Sequence, residues 1–531
     1  MSPVAAFEFT LLLLVAVLGL ELLAKVLRLP PAAALIAGGI VLAFVPGFPT
    51  VSLDPELVLV LFLPPLLMDG AYFTAWADFR RNLGGILLLA IGAVAFTTLV
   101  VGLVARWIVP DLPWAACFAL GAIVSPPDAI AAKAVLERVA LPRRLMVLLE
   151  GESLLNDAAG LVLFRFAVAA AMTGAFSIGD AVVTFSYLAV GGITVGGVLG
   201  FLWVKSLRLL NDPSLIIVAA VLLPWAAYIG GEALHVSGVI STVASGLMLG
   251  WHQHEVFPAT VRTRGDAFWR LVIYLLEALV FILIGLSLRG VIERLGGVGD
   301  ALTTLGAPVL AIVAAVVLSR FAWVFTSNCL QAIFDRIRGR RQSRWLGPST
   351  VMSWAGMRGV VTLAIALSVP EAMPGRDLIL AAAFAVILVT VMVQGTTIGP
   401  LIRLLRLQAV EAESGRQLGH EHAMARMAAA QFAVVERLSQ QPDGSQKHPR
   451  LLEQYGYRAR LTERYSSEAG ARAAARKEHF EVVLAAIAAG RAEIVRLHRS
   501  GMIHDEVLRT LESDLDLQEL AARAVVNEAM S

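Results

Sequence analysis

Ala119-Leu120-Gly121-Ala122-Ile123-Val124-Ser125-Pro126-Pro127-Asp128 begins with the composition of a membrane-spanning helix and ends in two prolines and an acid that are expected to disrupt it. Two consecutive prolines cannot donate to the carbonyls four residues back, and their rings clash with the preceding turn. The oxygens of Ala122 and Ile123 are therefore freed, close to an acidic side chain. Irregular backbone at membrane depth is tolerated where it is buried in protein or lines a wet cavity, and freed carbonyls suit a hard cation such as sodium. The plainer alternative is a proline kink with Asp128 held in a structural pair.

The membrane setting follows from the whole chain. Its 531 residues are 58% hydrophobic and only 16% charged, too apolar for a soluble protein of this length. Apolar stretches recur up to about Leu405, each long enough to cross the hydrocarbon as a helix, which takes about 20 residues. Ten-residue alternation is absent, so the expected fold is an all-α polytopic bundle and not a barrel. Spans are expected near 4–27, 31–46, 56–75, 83–108, 113–133, 145–171, 180–204, 213–231, 235–251, 268–288, 302–333, 346–369 and 378–402. The first has Glu8 and Glu21 inside it and no small-residue cleavage site, and it is read as retained. Cys117 and Cys329 both fall in apolar spans, which offers neither a disulfide framework nor metal-site spacing.

Charge orients these thirteen spans. Loops after odd-numbered spans carry Lys25 and Arg28, then Arg80 and Arg81, then Lys133, Arg138, Arg143 and Arg144, then Lys205 and Arg208. Later odd loops carry Arg262, Arg264 and Arg270, then Arg336, Arg338, Arg340, Arg341 and Arg344. Even loops hold Arg289, Arg294 and Arg376 among the acidic Asp54, Asp111, Asp180, Glu232 and Asp300. The positive-inside rule then puts the N-terminus outside and the C-terminus in the cytoplasm. Past Arg406 the composition turns charged and Ala-rich, so residues 1–406 are expected to form the membrane domain and 407–531 a cytoplasmic helical tail broken at Gln441-Pro442-Asp443-Gly444-Ser445. The tail's His420, His422 and His504 read either as pH sensors or, more plainly, as solvated surface histidines.

An ionisable side chain at membrane depth costs roughly 3 kcal/mol or more, and it persists because it faces a pathway or a partner. Asp69 follows Leu63-Pro64-Pro65-Leu66-Leu67-Met68 deep in span three. Span six contains Gly151-Glu152-Ser153-Leu154-Leu155-Asn156-Asp157. Ser153 and Asp157 are four apart and share a helix face, while Glu152 and Asn156 share the adjacent stripe. One face thus offers two oxygen ligands, and the other a carboxylate and an amide to brace them. Burial penalises a naked charge, and either a proton or a cation relieves it, so the two compete for Asp157. Glu152 is expected instead in a structural ion pair with the intramembrane Arg320 of span eleven. Arg165, two turns beyond Asp157, has no partner that the sequence identifies.

Span twelve is also interrupted, at Gly356-Met357-Arg358-Gly359. Five and twelve are seven apart, so spans one to six and eight to thirteen would form two inverted six-helix repeats with broken helices crossing at the midplane. Arg358 is expected to balance the oriented ends of those half-helices, with close helix packing as the alternative use of the glycines.

These residues resemble the monovalent cation/proton antiporters that include the sodium/proton exchangers. The resemblance rests on Gly151-Glu152-Ser153-Leu154-Leu155-Asn156-Asp157, on Leu63-Pro64-Pro65 with Asp69, on Gly356-Met357-Arg358-Gly359, and on Ser237-Gly238 ahead of Gly246-Leu247. It covers about residues 10 to 405. It implies a bacterial inner-membrane homodimer whose core domain moves in elevator fashion, with no cofactor, no enzymatic activity and no nucleic-acid partner. It implies that Asp157 and Asp128 bind the transported ion, helped by Ser153 and the Pro127 carbonyl, with Asp69 nearby. Relatives often read Thr-Asp-Pro where this chain has Pro127-Asp128-Ala129, which leaves selectivity among sodium, lithium and potassium open. Asn156, where distant relatives carry a second aspartate, resembles the electroneutral branch.

The expected activity is exchange of cytoplasmic Na+ or Li+ for external H+. Potassium/proton exchange is the alternative within the class. An intramembrane aspartyl protease would need Tyr-Asp and Gly-x-Gly-Asp in facing spans, and neither surrounds Asp128 or Asp157. A gated channel would pass single-channel currents. No Gly-x-x-x-x-Gly-Lys-Ser/Thr loop supports an ATP-driven pump.

Overall fold

The computed structural model describes residues 3–27, 29–46, 48, 54–128, 142–174, 178–294, 297–337, 346–405, 407, 420–441, 446–467, 473–500 and 502–528. Several sequence-based expectations lie outside the described residues: the second half of span five with Lys133 and Arg138, the cluster Arg338 to Arg344, the domain boundary at Arg406 and the tail break Pro442-Asp443-Gly444-Ser445. The chain forms two compact units, Met1–Val410 and Glu411–Ser531.

The first unit is helical throughout its described residues: α1 (Pro3–Leu27), α2 (Pro31–Ala43), α3 (Pro55–Phe73), α4 (Trp76–Ile108), α5 (Trp114–Val124), α6 (Arg143–Thr173) and α7 (Ile178–Leu207). It continues with α8 (Pro213–Ala233), α9 (Gly238–Val256), α10 (Ala259–Arg294), α11 (Val298–Ile337), α12 (Leu346–Trp354), α13 (Val360–Leu367) and α14 (Arg376–Leu404). Nine of these are long and apolar enough to cross a membrane alone. α2 and α5 are equally apolar but only 13 and 11 residues long, and α12 and α13 are the two pieces of an interrupted span. Helix length therefore does not by itself yield thirteen crossings, because the short and broken helices fall below the roughly 20 residues a straight crossing needs.

Local chemistry sets the helix ends. Asp54 and Asp212 each precede a proline at the first helical position, and each carboxylate accepts from two free amides, Glu56 and Leu57 at 2.9 and 3.4 Å, Ser214 and Leu215 at 2.7 and 3.2 Å. Small residues then let helices approach. A Cβ on Gly196 of α7 would overlap the Ser241 backbone of α9, and Gly39 of α2 meets Gly285 of α10 in the same way.

Packing sorts these helices into two sets. α1, α2, α3, α7, α8, α9 and α10 pack on one another, and α4, α5, α6, α11, α12, α13 and α14 form the other set. The sets meet where α3 touches α6 and α13, where α10 touches α13 and α14, where α6 touches α9 and where α2 touches α14. The interrupted helices and α6 thus lie in one set, while Asp69 on α3 lies in the other.

The second unit consists of α15 (His420–Ser439), α16 (Pro449–Ser467), α17 (Ala473–Arg499) and α18 (Asp505–Glu528), paired as two antiparallel hairpins. Arg491 ties the second hairpin together, donating to Asp516 at 2.7 Å and to Glu519 at 2.8 Å.

Candidate ion-binding site

α5 stops at Val124, ahead of Pro126 and Pro127, which have no amide hydrogens. Missing amides alone do not end a helix, since Pro64-Pro65 lie inside the continuous α3, and at α5 the exposed carbonyls have Ser125 and Arg358 as donors. Side chains take up the carbonyls left at this end. The Ser125 hydroxyl donates to the Ala122 carbonyl at 3.2 Å and accepts from Thr98 of α4 at 3.2 Å. The Ala122 oxygen, read from sequence as freed for a cation, thus has one of its two lone pairs taken by this hydroxyl. A hydroxyl three residues on closes the opened turn, as serine does at helix ends.

Arg358 arrives from the second interruption. Its Nε donates to the Val124 carbonyl at 2.9 Å, one terminal nitrogen donates to Ser125 O at 3.3 Å and the other to Gly356 O. Its backbone amide donates to the Thr390 hydroxyl at 3.0 Å, within a π-turn of α14. A single guanidinium, 1% exposed, thus closes the carbonyl ends of both α5 and the α12 segment, where helix dipoles are negative.

Asp128 sits at the opposite kind of end. Its amide donates to Met357 O at 2.7 Å, and its Oδ2 accepts from the Val360 amide at 3.3 Å, the first residue of α13. The two interruptions therefore trade complementary charges, a cation at the carbonyl ends of α5 and α12 and a carboxylate at the amide end of α13. No side chain fits at Gly359, where a Cβ would overlap the Asp128 carboxylate, nor at Gly356, where it would overlap Arg320. Gly359→Ala is expected to displace Asp128 at a misfit cost of about 1–3 kcal/mol, and so to lower exchange in reconstituted vesicles roughly tenfold or more. Wild-type exchange in that variant would show that the carboxylate's place at α13 is dispensable.

α6 supplies the other half. Asp157 is buried, 8% exposed, and close enough to Asp128 for the two charges to act on each other. Asn156 is fully buried; its amide nitrogen donates to the Pro127 carbonyl at 2.5 Å, while its Oδ1 is buried without a hydrogen-bond partner. Gly160, one turn further, packs on the Pro126 ring, so α6 lies directly against the break. Ser153 is half-buried one turn before Asp157. The structure thus brings Asp128, Pro127, Asn156 and Asp157 together, with Ser153 on the same face of α6.

Glu152 points the other way. Both its oxygens accept from Arg320, at 2.6 and 2.9 Å, with the two side chains 1% and 3% exposed. Arg320 Nε also donates to Met352 O at 3.2 Å, which fastens α6 to α11 and α12. Asp69 is half-buried on α3 and accepts from the Trp269 indole of α10 at 3.1 Å. Its neighbour Gly70 lies 3.0 Å, measured from a built Cβ, from Leu154 in the α6 motif.

Arg165 now has a partner, Glu232 at the end of α8, at 3.5 Å. The other Glu232 oxygen accepts from the Gly238 amide at the start of α9, at 3.2 Å. Thr98, Thr390 and Trp269 also escaped sequence reasoning, because hydroxyls and indoles in apolar spans carry no spacing signal. The bare backbone at Gly359 was the one legible hint that something approaches there.

Residues 11–404 match the family model described as sodium/hydrogen exchanger, transmembrane. An uncharacterised Na+/H+ exchanger of Escherichia coli (strain K12), YjcE, is 33% identical over 88% of this chain and 90% of its own length. The Na+/H+ antiporter NhaP of Pseudomonas aeruginosa is 32% identical over 71% of this chain and 92% of its own length. The sodium, potassium, lithium and rubidium/H+ antiporter of Bacillus subtilis (strain 168) is 34% identical over 69% of this chain and 57% of its own. Among solved structures, the sodium proton antiporter MjNhaP1 of Methanocaldococcus jannaschii superposes with a TM-score of 0.61 at 21% identity, covering 76% of this chain and all of that one, a likeness of fold. The chain belongs to the sodium/hydrogen exchanger family and is a multi-span cation/proton antiporter, a transporter and not an enzyme.

Proposed function

We propose that this protein exchanges cytoplasmic Na+, or Li+, for external H+ at a site formed by Asp157 and Asp128. The observation that carries the reading is a buried Asp157 on α6 set beside the half-buried Asp128 at the end of a broken helix, where charge needs a counterion. One cation or one proton cancels the charge of Asp157, while Asp128 keeps its place at the amide end of α13; empty, Asp157 would carry naked charge through hydrocarbon. The site therefore crosses only when occupied, and that condition turns two leaks into one exchange. Ser153 and the Pro127 carbonyl complete the oxygen shell, with Asn156 holding Pro127 in place. Glu152, Arg320 and Arg358 brace the frame.

The transition is an elevator movement of the helix set holding α5, α6 and the α12–α13 break against the set holding α3 and α7 to α10. The division of the packing into these sets supports it. Asn156 in place of a second acidic residue supports one proton per cation. The protein works as a homodimer in the bacterial inner membrane, N-terminus outside and residues 407–531 in the cytoplasm, as the distribution of basic loops supports.

A potassium/proton exchange reading has one specific support, the printed selectivity of the Bacillus subtilis relative for sodium, potassium, lithium and rubidium. Purified protein in liposomes holding a pH gradient, titrated with each chloride salt, separates the two. Collapse at lower Na+ and Li+ than K+ is the expected result, and collapse at equal or lower K+ overturns the sodium assignment.

A further inference from the structure

A cavity lies between α3, α8, α9 and α10, and its wall is mostly apolar. Its polar groups are Tyr72 of α3 and Arg262, Asp266 and Trp269 of α10. Asp266 is the only carboxylate among the lining residues and Arg262 the only cation. Arg262 is turned to the backbone, donating to Phe257 O at 2.6 Å.

Trp269 belongs to this wall and to one thing beyond it, since its indole N–H donates to Asp69 Oδ1. Met68 and Tyr72, on either side of Asp69 in the chain, line the same cavity. On its other side this segment touches the ion-site helix, where Gly70 packs on Leu154 between Glu152 and Asp157. Asp69 is thus flanked by the cavity and by the motif that holds the ion, with Trp269 anchoring its carboxylate. An anchored carboxylate keeps lone pairs directed at a passing cation, whereas an unanchored one samples other rotamers and pays to be ordered each time.

We infer that Trp269 is a positioning residue for cation uptake: it holds Asp69 on the route between the α3–α10 cavity and the Asp128–Asp157 pair. The inference rests on the reading of that pair as the exchange site. Trp269→Phe keeps an aromatic ring in the wall and deletes only the donor. In liposomes carrying the full chain, Trp269→Phe is expected to raise the apparent KM for Na+ about tenfold with maximal rate near wild type, the worth of one hydrogen bond to a charged acceptor. In an Asp69→Ala background, which leaves the indole no acceptor at this position, the same substitution is expected to add no further increase, since it acts only through that carboxylate. Where a variant exchanges too slowly to assay, the same cycle is read as the Kd for Na+ by calorimetry on purified protein. An unchanged KM and Kd in Trp269→Phe overturns the inference. So does an equal increase with and without Asp69, which would make the indole a packing element. Wild-type vesicles that exchange no cation for protons would instead overturn the exchange reading itself.

Discussion

Vesicles carrying Asp157→Asn will show no sodium-driven proton flux above that of empty liposomes, while the purified variant remains monodisperse and unfolds near the wild-type temperature. Both halves follow from the place of Asp157. It is buried on α6 beside Asp128, and a group that takes either a proton or a cation there must be able to ionise. An amide of the same shape does neither. The fold survives because burying a neutral amide costs less than burying a charge, and the substitution also removes the repulsion from Asp128. A trapped pH-sensitive dye reads the flux. Wild-type flux in Asp157→Asn would remove that residue from the mechanism, whereas loss of flux with loss of folded protein would make its role structural.

Arg320→Met will have the opposite signature, a large loss of stability from a residue that never meets the ion. Removing Arg320 leaves Glu152, 1% exposed, with neither of its two short hydrogen bonds to the guanidinium. Breaking a buried pair by deleting one partner costs about 3–5 kcal/mol, a large share of the roughly 5–15 kcal/mol that holds a typical domain together. Arg320 also ties α6 to the Met352 carbonyl, so the loss reaches the broken-helix region. The double variant Glu152→Leu with Arg320→Met is expected to recover most of the unfolding temperature, because no charge then needs desolvation. Thermal unfolding in detergent checks both. An Arg320→Met variant as stable as wild type would show that the pair does not support the frame.

The contrast between these two carboxylates, five residues apart on one helix, indicates what the sequence made legible. Spans were readable because a bilayer imposes one demand, about 20 apolar residues with every backbone group satisfied. Both interruptions were flagged by Pro126-Pro127 and Gly356-Met357-Arg358-Gly359, although a double proline is not decisive alone, since Pro64-Pro65 leave α3 continuous. The pairing of Glu152 with Arg320 could be anticipated because few intramembrane charges are available to choose among. What stayed hidden depends on which helices are neighbours. Arg165 lacked a partner on paper because Glu232 read as a loop acid, and in space it closes α6 onto the end of α8. The Ser125 bond to the Ala122 carbonyl is local, three residues apart, but the Thr98 hydroxyl that orients Ser125 comes from another helix, and their meeting is a fact of packing. Trp269 and Asp69 are 200 residues apart, and no spacing rule joins an indole to a carboxylate over that distance.

Exchange rests on competition between a proton and a cation at the buried Asp157 beside Asp128, and the most direct measurement is proton release itself. Purified protein in weak buffer, titrated with sodium chloride against a choline chloride control across a range of pH, is predicted to acidify the solution saturably, with the release absent in Asp157→Asn. Sodium binding that liberates no protons at any pH would contradict it.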